Sequence, residues 1–291
     1  MSRTYQAART PRSSMQTIRG IDYHVTEWGP PDGDLLFYLH GWGDTGSSFQ
    51  FVVDRLSDRW RIVAPDWRGF GRSGRNPTTY WFPDYLADLD ELLAGFQPDE
   101  PVRLVGHSMG ANVAALYSGT FPERVAALVN VEGFGLPDSD PAEAPARYRK
   151  WVEQARSPKP FRQFADIDQL ARHIKKSSPV MSDEQARFVA GCWADPDNDL
   201  KLLADPRHKL PNPTLYRRSE AMACWERISV PVLQVIGGKS RFAEYVDEYT
   251  GVIQGLGVDH GETQVIHDAG HMVHFEAPAE LAEAIDRFLY L

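Results

Sequence analysis

Short apolar runs alternate with helix-like stretches along most of this chain. Strands are expected at Ile21–Glu27, Leu35–Leu39, Arg61–Pro65, Val102–Val105, Ala126–Val131, Val232–Ile236 and Thr263–Ile266, several of them bounded by Gly, Pro or Asp. Between them, Tyr85, Leu89, Leu92, Leu93 and Phe96 keep helical spacing on one face, as do Leu281, Ile285, Phe288 and Leu289 after Pro278. Strands alternating with helices predict an α/β chain with a mostly parallel, buried central sheet. The alternation breaks between about Leu136 and Arg227. That stretch holds ten prolines and short amphipathic pieces such as Tyr148–Ala155 and Asp183–Trp193. It reads as a helical insertion over 136–227, with 1–135 and 228–291 forming the core. The first 20 residues, basic and without acid, read as a loose polar lead-in.

Composition narrows the class. The 291 residues are 24% charged and 42% hydrophobic, enough for a large core and unlike a disordered chain. Cys192 and Cys224 are too few for a disulfide framework, and two free structural thiols are expected. The net charge of −9 disfavours nucleic acid and anionic membranes as partners. No window offers about 18 uninterrupted apolar residues, so no membrane span is expected. The reading is a cytoplasmic protein acting on a small-molecule substrate. A homodimer is left open.

The chemistry concentrates in three places. Residues 102–121 read VRLVGHSMGANVAALYSGTF, a strand entering Gly106-His107-Ser108-Met109-Gly110 and then a helix of small residues. This is a G-x-S-x-G nucleophile elbow in the strand–turn–helix setting it requires. Side chains at Gly106 or Gly110 would strike neighbouring backbone, and the helix N-terminus after Ser108 favours negative charge. A serine hydroxyl needs a base. His271, in the loop of VIHDAGHMVHFEAP, is the expected one, with His267 and His274 as rivals placed at the strand exit and the helix start. The oxyanion needs preorganised N–H donors. The loop after strand Leu35–Leu39 reads His40-Gly41-Trp42-Gly43, and the N–H groups of Trp42 and Met109 are the expected pair. His40 reads chiefly as a brace for that loop.

These segments resemble the alpha/beta-hydrolase superfamily with a serine nucleophile and a cap. LHGWGDTGSSF resembles the oxyanion loop, PDWRGFGRSG the loop after the fourth strand, GHSMG the elbow and AGHMVHFEAP the histidine loop. Asp205–Trp225 and VIGGKSR are similar to serine-hydrolase-like members. The resemblance implies an alpha/beta-hydrolase fold with an inserted helical cap (lid) after strand six and Arg68 and Gly69 in structural roles; with a serine nucleophile and no Cys cluster or phosphate loop, no cofactor or metal is expected. It also implies an acid a few residues after strand seven, where this chain has Lys239, Ser240 and Arg241. Some members place the acid after strand six, where the apolar run ends at Glu132, the preferred assignment. Glu244, Asp247 and Asp268 are the alternatives, or a weakened dyad.

The expected activity is that of a serine esterase on a small or medium, largely apolar ester. Alternatives on the same fold are a C–C bond hydrolase, thioesterase, lactonase or cofactor-free haloperoxidase. A non-catalytic ligand binder is the alternative from another class. Asp-nucleophile chemistry is excluded by Ser108. Besides the aromatics of the insertion, His40, Trp81, Phe134 and Trp193 are the candidate pocket residues, with Trp42 and Phe82 also expected near the mouth, although simple packing explains many such side chains.

Overall fold

The computed structural model describes residues 3–195, 197–242 and 261–290. Eight strands form one sheet: β1 (Arg12–Ile18), β2 (Ile21–Trp28), β3 (Asp34–Leu39), β4 (Trp60–Pro65), β5 (Val102–His107), β6 (Val125–Val131), β7 (Val232–Gly237) and β8 (Gly261–Ile266). Their spatial order is β1-β2-β4-β3-β5-β6-β7-β8. β2 runs antiparallel to β1 and β4, and every pairing from β4 through β3 to β8 is parallel.

Alternation along the strands sorts side chains onto two faces. Phe37, Leu39, Val63 and Leu104 pack against Leu89 and Leu93 of α1 (Phe82–Phe96) and Val113 and Tyr117 of α2 (Met109–Thr120). Leu36, Tyr38, Ile62 and Val105 face the other way, toward Val52 and the last helix. Both faces are therefore covered, which is why the central strands read as continuous apolar runs.

The first residues depart from expectation. Arg12–Ile18 is an edge strand, not a loose lead-in. It buries only Ile18, so its apolar pattern carries no signal, and backbone pairing to β2 holds it.

Between β6 and β7, residues 136–227 add no strand to the main sheet. They hold α3 (Ala144–Ala155), α4 (Ile167–Ser177), α5 (Asp183–Trp193) and α6 (Arg218–Trp225). A two-residue hairpin, Ala194–Asp195 with Lys201–Leu202, was not anticipated. α4 and α5 share their own apolar cluster (Leu170, Ile174, Val189, Ala190), which reaches Phe51 and Phe275 of the core. α6 packs differently: Ala221 and Trp225 join the cluster on the α1–α2 side of the sheet. Both cysteines are free. No helix among the described residues is long and apolar enough to cross a membrane. The chain closes with a helical turn, Val273–Glu276, and α7 (Pro278–Leu289).

Candidate active site

The site lies at the C-terminal ends of β3, β5, β6 and β8, where loops leave a parallel sheet. β5 ends at His107, and Ser108 takes φ 51°, ψ −112° before α2 begins. A Cβ on Gly110 would stand 2.1 Å from the Leu39 carbonyl oxygen, and one on Gly106 2.5 Å from Ala111 Cα. Only glycine lets the elbow turn this tightly. The Ser108 N–H donates to the Val131 carbonyl at 2.8 Å, pinning the elbow to β6.

β6 ends one residue before Glu132, which also has positive φ, 58°. Strained backbone of this kind costs on the order of 1–3 kcal/mol and gathers at functional sites. The bend is held by Asn130, whose Oδ1 accepts from Gly133 N at 2.9 Å and whose Nδ2 donates to Gly133 O at 3.1 Å. It turns the Glu132 carboxylate under the sheet edge, with its side chain fully buried.

Three side chains meet there. Ser108 Oγ lies 3.1 Å from His271 Nε2, and His271 Nδ1 lies 2.9 Å from Glu132 Oε2. With Nδ1–H donating to the carboxylate, Nε2 is left to accept from the serine hydroxyl. The buried carboxylate is well satisfied, as burial demands. Gly237 N donates to Oε1 at 2.7 Å and Ser240 Oγ to Oε2 at 2.6 Å. Of the alternative acids, Asp268 is exposed and pairs with Lys239 at 2.8 Å, while Glu244 and Asp247 lie outside the described residues.

The rival histidines go elsewhere. His267 is an exposed turn residue. His274 is buried in the Val273–Glu276 turn, and its Nε2 donates to Asp44 Oδ2 at 3.1 Å. His107 is also buried, and its Nε2 donates to the His271 carbonyl at 2.9 Å. Burial and the neighbouring imidazoles of His274 and His271 push the His107 pKa well below the usual value, so it is neutral. Asp44, His107 and His274 place potential ligand atoms within 4.8 Å of one another, the one such group among the described residues. Both Nε2 atoms are hydrogen-bonded, while the two Nδ1 atoms are buried without a hydrogen-bond partner among the described residues.

The Trp42 and Met109 N–H groups have no hydrogen-bond partner among the described residues. The loop carrying Trp42 is braced from behind. His40 Nε2 accepts from Trp67 N at 2.8 Å, its Nδ1 donates to Gly41 O at 2.7 Å, and Asp66 Oδ1 accepts from Gly46 N at 2.7 Å. Arg68 is buried on Asp88, Nε to Oδ2 at 2.5 Å, a structural role as expected.

A cleft of about 140 Å³ opens beside the elbow, lined by Trp42, Tyr80, Phe82, Tyr85, Met109, Arg207 and His208 among others. The four sequence-derived pocket residues are not on its wall. His40 is fully buried as the loop brace, and Phe134 is buried in the core cluster. Trp81 is half-exposed at the start of α1. Trp193 donates from Nε1 to Asp44 Oδ1 at 2.7 Å. Trp42 and Phe82, expected near the mouth, do line it, whereas Tyr80, Arg207 and His208 were missed because they come from distant segments. His208 is stacked between Phe70 and Tyr80, with centroids 3.8 and 3.6 Å away. No periodicity in the sequence brings residue 208 to residue 80.

A family model for the alpha/beta hydrolase fold matches residues 34–278, and the chain belongs to that family. A serine hydrolase-like protein of Danio rerio is 26% identical over 273 residues, covering 90% of this chain and 83% of the relative. A 2-(acetamidomethylene)succinate hydrolase of Mesorhizobium japonicum is 26% identical over 275 residues, covering 94% and 93%. The solved thioesterase domain from the curacin biosynthetic pathway superposes with a TM-score of 0.85 at 24% identity, covering 95% of this chain and 99% of that one. The protein is a hydrolase built on this fold.

Proposed function

We propose that the protein is a serine hydrolase cleaving a small, largely apolar carboxylic ester through an acyl-enzyme. The observation that carries this reading is the continuous chain Ser108–His271–Glu132, at 3.1 and 2.9 Å, on a nucleophile elbow. In the first step, His271 Nε2 takes the Ser108 proton as Oγ attacks the carbonyl carbon. Glu132 holds the imidazole in the Nδ1–H tautomer and stabilises the imidazolium that forms. The Trp42 and Met109 N–H groups and the α2 N-terminus stabilise the tetrahedral oxyanion. His271 then gives its proton to the departing alcohol oxygen. Water, deprotonated by His271, attacks the acyl carbon, and Ser108 leaves with the proton restored.

The aromatic walls of the cleft and its volume, about 140 Å³, favour a short apolar acyl group. The segment 136–227 serves as a cap over this cleft, contributing Arg207 and His208 to its wall. The test is incubation with a fluorophosphonate probe followed by peptide mass spectrometry. An adduct on Ser108 is expected, together with turnover of p-nitrophenyl acetate. Absence of the adduct from folded protein overturns the reading.

A further inference from the structure

Two carboxylates, Asp44 buried and Glu276 half-buried, fasten the histidine loop to the inserted segment, one on each side of His271. On the N-terminal side, Glu276 Oε2 accepts from the N–H of Gly270, the residue preceding His271, at 2.6 Å. The other oxygen, Oε1, accepts from Ser178 Oγ, at the end of α4, at 2.7 Å. On the C-terminal side, Asp44 Oδ2 accepts from His274 Nε2 at 3.1 Å. Its Oδ1 accepts from Trp193 Nε1, the last residue of α5, at 2.7 Å.

Each carboxylate thus spends one oxygen on the loop and the other on the segment. Removing the segment's donor leaves a carboxylate oxygen short of a partner, fully buried at Asp44 and half-buried at Glu276, which the loop must then accommodate by moving. Between the two bridges, His107 of the elbow holds the His271 carbonyl at 2.9 Å. The loop therefore has no slack of its own. Its position is set by the elbow on one side and by α4 and α5 on the other. The apolar contact runs the same way, since Phe275 of the loop belongs to the α4–α5 cluster.

We propose that seating of the inserted segment positions His271, so that the segment governs the base directly in addition to covering the substrate. This rests on the serine-hydrolase reading. Ser178, Trp193, Asp44 and Glu276 are then positioning residues, since they act through the loop and do not touch the reacting atoms. A segment that lifts off breaks both bridges at once and releases His271 from Ser108. The hydrolase is switched on only when the segment is closed.

The test uses Ser178→Ala, Trp193→Phe and the double variant, with Ser178→Thr as the conservative rescue and Tyr5→Phe as a control. Tyr5→Phe keeps the ring that packs on Phe51 and Phe188 and removes only the hydroxyl that donates to Asp54 at 2.8 Å, a carboxylate with no part in either bridge. Each single variant is expected to lower kcat for p-nitrophenyl acetate, and the rate of fluorophosphonate labelling of Ser108, about tenfold with KM unchanged, the double about a hundredfold. Ser178→Thr and Tyr5→Phe keep wild-type rates. The inference is overturned if the variants lose thermal stability but label and turn over at wild-type rates. Absence of labelling in the wild-type protein instead indicts the serine-hydrolase reading. Should the double variant not fold, the two singles carry the test.

Discussion

Ser240 Oγ donates to Glu132 Oε2 at 2.6 Å, the same oxygen that accepts from His271 Nδ1 at 2.9 Å. Ser240 stands after β7, where the family resemblance places an acid. Here that position serves as a donor to a carboxylate that comes from the end of β6. The two ends are brought together because β6 and β7 are parallel neighbours, Val131 pairing with Val235.

Ser240→Ala withdraws one donor from a fully buried carboxylate. Stability is expected to fall by about 2 kcal/mol, the usual cost of leaving a buried charged acceptor short of a partner. A looser Glu132 is expected to slow kcat about tenfold, corresponding to about 1.4 kcal/mol of lost preorganisation. Urea unfolding and ester turnover measure the two, and Ser240→Thr restores both.

Glu132→Gln keeps the volume but removes the charge that stabilises the imidazolium and fixes its tautomer. A fall in kcat of about 10³–10⁴-fold is expected, with Ser108 still present and KM little changed. Wild-type turnover of a p-nitrophenyl ester by this variant would remove Glu132 from the triad.

Gly110→Ala places a methyl group 2.1 Å from the Leu39 carbonyl oxygen, a backbone atom of a central strand that cannot retreat cheaply. Destabilisation of about 3 kcal/mol or more is expected. Because the displaced strand leads into the Trp42 loop, labelling of Ser108 is lost as well. Thermal melts and the fluorophosphonate assay decide this. An unchanged melting point sinks the steric account of the elbow.

Stability is expected to fall as pH drops below about 6.5. Burial lowers the pKa of His107 well below its ordinary value and that of His208 to about 3, and it lowers His40 too. Between those folded values and 6.5, the unfolded chain binds protons that the folded chain refuses, so acid favours unfolding. His107 and His208 alone give a slope approaching about 2.7 kcal/mol per pH unit. Above 6.5 the contribution is constant. Asp44 acts in the same sense, but at lower pH. Burial alone would raise its pKa, but the hydrogen bond and charge of His274 hold it below 3.8. Its contribution is therefore lost only below that pH. Urea midpoints at pH 7.5, 6 and 5 test the slope, and a flat series contradicts it.

The sequence by itself determined most of the sheet, the elbow with Ser108, and His271 as the expected base, and it left the third residue open among several acids. Buried parallel strands are long apolar runs, and Gly106, Ser108 and Gly110 announce a turn that no other residues allow. Glu132 was the preferred acid because an apolar run ends there and some members of the family place the acid after strand six, and its carboxylate lies 2.9 Å from His271 Nδ1. β1 was not legible, because an edge strand held by backbone pairing has no need of an apolar face. The cleft was not either. Tyr80 and His208 stack across 128 positions of chain, and Trp193 and Ser178 reach the histidine loop from separate helices. Local pattern records which face of an element is buried. Which faces then meet is decided by the packing of whole elements, and that is where the cleft wall and the two carboxylate bridges arise.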